Sequence, residues 1–215
     1  MIMMMIIIIN KKGRTSSMNP SFPETVQYAG IAKTIRERRS IKKGYKPDPV
    51  PVELITELLN EAVWAPNHVL REPWRFLFVP TEQKEHFIET VASAFSGEEQ
   101  EKTRRRLEQA KAFLIVIMRE DPRQKQWEEN FAAVSALIQN FQLLAWERQL
   151  GVVWKTNPHI YDPKVRERLG VRPGEKIVGF LHLGFFDPDQ IPPARPRTRA
   201  EEKMTIYGDN SPKAE

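Results

Sequence analysis

EAVWAPNHVLREPWRFLFV, residues Glu61 to Val79, changes character twice within nineteen positions. It opens as the last turn of an amphipathic helix and breaks at Ala65-Pro66-Asn67-His68. At Glu72-Pro73-Trp74 it straightens into a strand, Arg75 to Val79. Pro66 pushes Ala65 out of the helical region, and Pro73 does the same to Glu72. A polar loop with free backbone amides is thereby pinned between a helix end and a buried strand, an arrangement suited to holding a flat polar ligand. The same residues also describe a plain helix-loop-strand connection, and local pattern does not separate the two.

Upstream, Asp48-Pro49-Val50-Pro51 opens the preceding helix, with proline placed where an unused N–H belongs. Its apolar stripe is Leu54, Ile55, Leu58, Leu59, Ala62 and Val63. Before it, Thr25 to Arg39 predicts a helix with Val26, Ile31 and Ile35 on one face. That helix ends in Arg36-Glu37-Arg38-Arg39-Ser40, and Lys42-Lys43-Gly44-Tyr45 follow. Cations in a last turn are favoured by the helix dipole alone, so this cluster fits either end-capping or an anion site. Met1 to Ile9 is an apolar run far short of the roughly 20 residues of a membrane helix. It lacks the preceding basic region and the cleavage site of a secretory signal. Lys11, Lys12 and Arg14 weakly suggest a membrane-surface anchor. Residues 1–17 are expected to be an extension upstream of a true start at Met18.

Downstream, Thr81 is expected to cap a helix running to about Phe95. The densely charged Glu98 to Lys111 predicts a solvated helix or lid. Phe113 to Met118, FLIVIM, predicts a central strand covered on both faces. Trp127 to Gln149 is the longest helical pattern, and its middle, FAAVSALIQNFQLLAW, is apolar nearly all round. Such a helix is expected to be buried on every side, most simply by a second copy of the molecule. Val152-Val153-Trp154 predicts a brief strand, Asp162-Pro163 a short helix ended by Gly170, and Lys176 to Phe186 a strand. Beyond Asp187 the tail is rich in proline and arginine without a core of its own.

A length of 215 residues suits one domain with extensions: 1–17, a domain over 18–190, and an arm over 191–215 expected to pack on a partner subunit. The absence of cysteine excludes disulfides and thiol chemistry and fits a reducing cytosol. A net charge of +5 raises nucleic acid as a partner. The cations at 36–46 and 195–199 lack the interleaved aromatics that stack bases, however, so nucleic acid is not expected. Neither GxGxxG nor GxxxxGK[ST] occurs, which disfavours a Rossmann fold. His68, His86, His159 and His182 lack metal-ligand spacing, so no metal is expected. His86 is expected at the surface and His182 in the core. No GxSxG elbow supports acyl transfer.

Three segments together resemble the FMN-dependent nitroreductase family, in its compact single-domain branch. They are Arg38-Arg39-Ser40, then Ala65-Pro66-Asn67-His68 with Pro73-Trp74, and Gly151-Val152-Val153-Trp154-Lys155-Thr156. Lys176 to Gly184 looks like the family's closing strand. The resemblance implies an α+β fold, a small mixed, mainly antiparallel sheet flanked by helices, in an intertwined homodimer whose two active sites each use both chains. It implies FMN as cofactor and NADH or NADPH as co-substrate. Arg38, Arg39 and Ser40 would contact phosphate and ribityl, and Arg195 and Arg197 would close on the phosphate; a solvated basic tail fits the latter pair equally. Ala65, Pro66, Asn67 and His68 would come from the partner chain and lie along ring and ribityl. Trp64 stands where a basic residue is common in this branch. Leu70, Arg71 and Glu72 depart from the amide-bearing pattern often found before Pro-Trp.

By the same resemblance, Trp154, Lys155 and Thr156 would pass near the flavin's reactive nitrogen, N5. Lys42 and Lys155 are alternative cations for its carbonyl edge, and no side-chain acid or base need be essential. The implied activity is transfer of two electrons from NAD(P)H to nitroaromatics or quinones in ping-pong fashion. A dehydrogenase or dehalogenase of one metabolite on the same fold is the nearer alternative, and a basic nucleic-acid-binding module the remote one.

Overall fold

The computed structural model describes residues 30–208. The expected extension, Met18, Val26 and residues 209–215 lie outside the described residues. The element order is α1 Gly30–Glu37, α2 Val52–Ala62, β1 Trp74–Val79, α3 Lys84–Ala92, α4 Gly97–Glu108, β2 Ala112–Arg119, α5 Gln124–Glu147, β3 Leu150–Lys155, α6 Pro163–Arg168 and β4 Glu175–Phe185.

The unbroken apolar run of β2 forms an interior strand, in the order β1-β2-β4-β3, with every residue but Arg119 buried. Alternation along β2 sends Leu114, Val116 and Met118 to one face, with α2 and α5. Phe113, Ile115 and Ile117 go to the other, which holds Phe87 and Val91 of α3, Leu107 of α4 and Val165 of α6. The four strands pair antiparallel throughout, where a mixed sheet was expected. The one parallel contact among the described residues is an isolated bridge, Ser40 to Val152. It lies on the outer edge of β3, not within a strand pair.

The stripe of α2 falls as expected, with Ile55, Leu58 and Ala62 buried. Thr81 does not cap a helix by its side chain: its hydroxyl accepts the Val50 N–H at 3.1 Å, and a short 3-10 turn precedes α3. The charged stretch forms α4, whose Thr103 and Leu107 are buried, so it is a packed helix with a solvated outer face. Asp162 caps α6, accepting from the backbone N–H of Lys164 and Val165. Ile31 and Ile35 share a face of α1 as expected, but that face is exposed, at 66% and 53%.

The long helix departs from all-round burial. Val134, Leu137, Ile138, Phe141 and Ala145 are buried within this chain's own core, beside α2 and the sheet, and Ala133 is buried as well. Ala132 and Gln139 remain exposed, and Trp127, Phe131 and Leu144 are half-buried. Its own chain covers most of α5, because an apolar sheet face and an apolar helix meet it from two sides. The C-terminal stretch from Ile191 to Gly208 is exposed along its length. No described helix is long and apolar enough to cross a membrane.

Candidate active site

Segment 38–46 lies along one edge of the sheet because two glycines let it. Gly151 of β3 and Gly184 of β4 are register partners. A side chain at Gly151 would stand 2.8 Å from the Ile41 Cβ, and one at Gly184 would stand 2.7 Å from the Tyr45 ring. The path is held further by the Ser40–Val152 bridge, the Lys46 N–H donated to the Phe185 carbonyl at 2.8 Å, and the Tyr45 hydroxyl donated to the Ile41 carbonyl. Burial pushes the Tyr45 hydroxyl's pKa well up, which keeps it protonated as that donor.

This path delivers Arg38 and Arg39, both half-buried, beside the C-terminal half of α5. Arg38 reaches Gln142 Oε1 at 3.5 Å, and the Thr34 hydroxyl donates to Glu147. Among the described residues no carboxylate lies within 4.0 Å of Arg38, Arg39, Arg195 or Arg197. The nearby acids have other partners: Glu147 takes Thr34, and Glu37 pairs with Lys33 at 4.0 Å. The Nε atoms of Arg38 and Arg39 are buried and find no acceptor among the described residues. The Arg38 pKa is depressed first by burial, then by the charges of Arg39 and Arg197. Arg197 of the tail is therefore within electrostatic reach of Arg38 in the same chain. Like charges held together with donors unused define a site for an anion, and guanidinium forks suit a phosphate. Arg39 also borders a cleft of about 780 Å³ whose walls include Lys33, Trp146 and Phe186. Trp146 and Phe186 stack there at 4.6 Å.

Trp154 and Lys155 end the edge strand β3 and Thr156 follows it, roughly 13 Å along the chain from Val152. The Trp154 indole N–H donates to the Val178 carbonyl at 3.1 Å, and a side chain at Gly179 would meet that ring at 2.1 Å. Trp154 is thus folded back over β4 beyond the last β3–β4 pair, Lys155 with Phe180. Lys155 is half-buried; Thr156 and Lys42 are exposed. The Ser40–Val152 bridge sets the arginine segment beside β3, the edge strand that Trp154 and Lys155 end.

The third expected piece lies elsewhere in this chain. Arg71 pairs with Glu129 at 3.1 Å near the start of α5, whereas Arg38 meets Gln142. These anchor points are thirteen residues apart, roughly 20 Å of helix. Ala65 is buried, Asn67 half-buried, and Pro66 and His68 exposed; Trp64 is 82% exposed. Beyond His68 the backbone is strained: Val69 has φ 49°, Leu70 φ 51° and Glu72 φ 43°. For a β-branched residue that is an outlier, costing on the order of 1–3 kcal/mol. Sequence reading missed it, since neither Val nor Leu signals a left-handed backbone.

Two further groups were not singled out from sequence. Glu175, buried, takes Arg75 at 2.8 and 2.6 Å and Arg172 at 3.0 and 2.6 Å. The hydrogen bonds from Arg75 first, and from Arg172 after burial opposes them, hold its carboxyl well below the usual range. On the α4 side of the sheet His159 joins His182, whose core placement was expected. His159 packs on Phe180 and His182 on Phe113. Burial lowers His159 to about 4, helped by Arg106 and opposed by Glu99, and lowers His182 to about 3, helped by Lys155 and His159. Both nitrogens of His159, Nε2 of His182 and the Thr103 hydroxyl find no partner among the described residues. No group of three or more metal-ligating side chains occurs among the described residues.

Fold and edge together define an α+β protein with buried arginine donors, unserved among the described residues, beside one edge of its sheet. Residues 35–185 match the model of the nitroreductase family. The chain belongs to the nitroreductase family of oxidoreductases. It is 36% identical to the Bacillus subtilis strain 168 protein named "Putative NAD(P)H nitroreductase YfhC", over 86% of this chain and 98% of that one. A nitroreductase-like family protein from Bacillus cereus superposes with a TM-score of 0.78 at 42% identity, covering 86% of this chain and all of the other. A Desulfovibrio desulfuricans protein described as "a putative nitroreductase in complex with fmn" shares the fold, with a TM-score of 0.66 at 22% identity over 86% of this chain and all of the other.

Proposed function

We propose that this chain is a homodimeric FMN-dependent oxidoreductase that passes two electrons from NADH or NADPH to flat, electron-poor acceptors such as nitroaromatics or quinones. The observation that carries the proposal is the arginine cluster: two buried guanidinium Nε–H groups without acceptors, joined by Arg197, on the edge that also carries Trp154-Lys155-Thr156. A phosphate-bearing ligand fits that donor set, since a dianion would satisfy donors no described carboxylate serves. The YfhC name supports NAD(P)H as donor, and the FMN in the Desulfovibrio structure supports the cofactor.

The chemistry a bound FMN contributes is reversible two-electron transfer, so donor and acceptor take turns at one site. The chain supplies the rest. Arg38, Arg39 and Ser40 would hold phosphate and ribityl, and Arg195 and Arg197 of the tail would close over them. Lys42 or Lys155 would set a positive charge at the ring's polar edge, stabilising negative charge that builds on reduction. Lys155 and Thr156, fixed by the inward-turned Trp154, would offer a backbone donor to a ring nitrogen.

Ala65, Pro66, Asn67 and His68 would reach the same ligand from a second copy. The roughly 20 Å of α5 between loop and arginines favours two chains over one. Trp64, Ile31 and Ile35, exposed here, are apolar surface suited to that contact.

The test is the absorption spectrum of the purified protein, with the released chromophore identified by mass. Flavin bands, FMN mass, and oxidation of NADH or NADPH on adding a quinone are expected. A colourless protein that takes up no added FMN contradicts the proposal.

A further inference from the structure

We infer that Gly179 is a positioning residue for the flavin site: it seats the Trp154 ring and the Lys155 carbonyl and so turns the Thr156 N–H outward to the ligand. The inference rests on the flavin reading above. The pairing of β2 with β4 shifts register between Val116 and Ile117, so that Gly179 faces Val116, Ile177 faces Ile117, and Val178 is the extra residue of a bulge. A bulge re-aims the groups it carries. Here the Val178 carbonyl takes the Trp154 indole N–H at 3.1 Å, and Gly179, without a side chain, leaves room for the ring. A Cβ at 179 would stand 2.1 Å from Trp154 Nε1, 2.3 Å from its Cδ1 and 3.1 Å from the Lys155 carbonyl oxygen. The ring would have to leave and would press on the peptide that follows it, because neither contact is with the free end of a flexible side chain.

The direction of that peptide is set by the sheet. No peptide bond among the described residues is cis, so the Lys155 carbonyl and the Thr156 N–H point opposite ways. The carbonyl lies against β4 at Gly179, so the N–H points off the outer edge of β3. Ser40 bridges Val152 on that same edge. The Thr156 N–H donates to no acceptor among the described residues. An unused amide held in a fixed direction, on the edge that carries the arginine segment, is a preorganised donor for a ring nitrogen or carbonyl oxygen. A misplacement on the order of 1 Å costs such a donor heavily.

The experiment follows the Thr156 amide resonance as FMN is added, and steady-state quinone reduction, in wild type, Gly179→Ala, Trp154→Phe and the double variant. In wild type the Thr156 resonance is expected to move on binding. In Gly179→Ala that movement should be lost, and kcat should fall about tenfold or more while KM changes by less than about threefold. Trp154→Phe removes the pyrrole edge that the new methyl meets, so adding Gly179→Ala to it should lower kcat by less than about threefold. A flavin-loaded Gly179→Ala protein with wild-type kcat and an unaltered Thr156 movement overturns the inference, as does an equal loss of kcat in both backgrounds. Should Gly179→Ala fail to fold, the Trp154→Phe pair decides alone: a small further loss supports the inference and a large one overturns it. A Thr156 resonance unmoved in FMN-loaded wild type overturns the inference and leaves the flavin reading standing. A wild type that takes up no FMN overturns the flavin reading itself.

Discussion

Glu175 draws Arg75 and Arg172 onto one buried carboxylate, whereas Arg38, Arg39 and Arg197 come together with no carboxylate within 4.0 Å among the described residues. The first cluster joins β1, the turn after α6 and β4, and none of its buried donors lacks an acceptor among the described residues. It holds the fold. The second depresses the Arg38 pKa by burial and like charge and leaves two buried Nε–H groups unused. A protein keeps such an arrangement against its own stability only where something else gains from it. Arginine content is the same kind of signal in both places; the presence or absence of a counter-charge separates scaffold from site.

That contrast predicts opposite signs. Glu175→Ala removes the acceptor that Arg75 and Arg172 share and, both arginines being reached by solvent, should cost on the order of 1–2 kcal/mol, read from the urea midpoint. Arg38→Ala in flavin-free protein should be neutral or slightly stabilising by the same measurement, since it relieves repulsion. Equal losses in the two variants would erase the distinction.

A smaller effect comes from the buried imidazoles on the α4 side. Their folded pKa values are lowered, His159 to about 4 and His182 to about 3, against an ordinary value of 6.5. The unfolded chain therefore binds protons first. Their stabilising contribution is complete above about pH 6.5 and is lost as pH falls toward 4 and then 3. Glu175 adds its own loss only below its ordinary value of 4.5. The window from 6.5 down to 4.5 thus belongs to the histidines, apart from any other shifted group. His159→Phe should flatten the stability profile there and leave the Glu175 limb in place. An unchanged slope in urea titrations across that window would contradict the assignment.

Much of this was legible in the sequence because single physical patterns carried it. FLIVIM had to be an interior strand, and the α2 stripe had to face the sheet. The Pro66 and Pro73 breaks bounded a loop, and the three segments that resemble the nitroreductase family all lie within the matched span. What stayed hidden depends on partners distant along the chain. Nothing local says that Thr81 serves Val50 or that Glu175 takes an arginine 100 residues away. The left-handed angles of Val69 and Leu70 contradict their own preferences. Gly179 did leave a trace: a lone glycine inside an apolar strand marks a close approach, here of the Trp154 ring. The apolar character of α5 was read correctly, but its cover was assigned to a second copy when its own sheet and α2 supply most of it.

The central claim is that the unpaired arginines exist to hold the phosphate of FMN. Titrating FMN into flavin-free protein, followed by quenching of flavin fluorescence, tests it directly in wild type and Arg38→Ala. Saturable binding by the wild type is predicted, weakened roughly 30-fold in the variant, as expected for one charge-assisted hydrogen-bonding partner worth about 2 kcal/mol. Equal affinities in the two proteins, or no saturable binding by either, would contradict it.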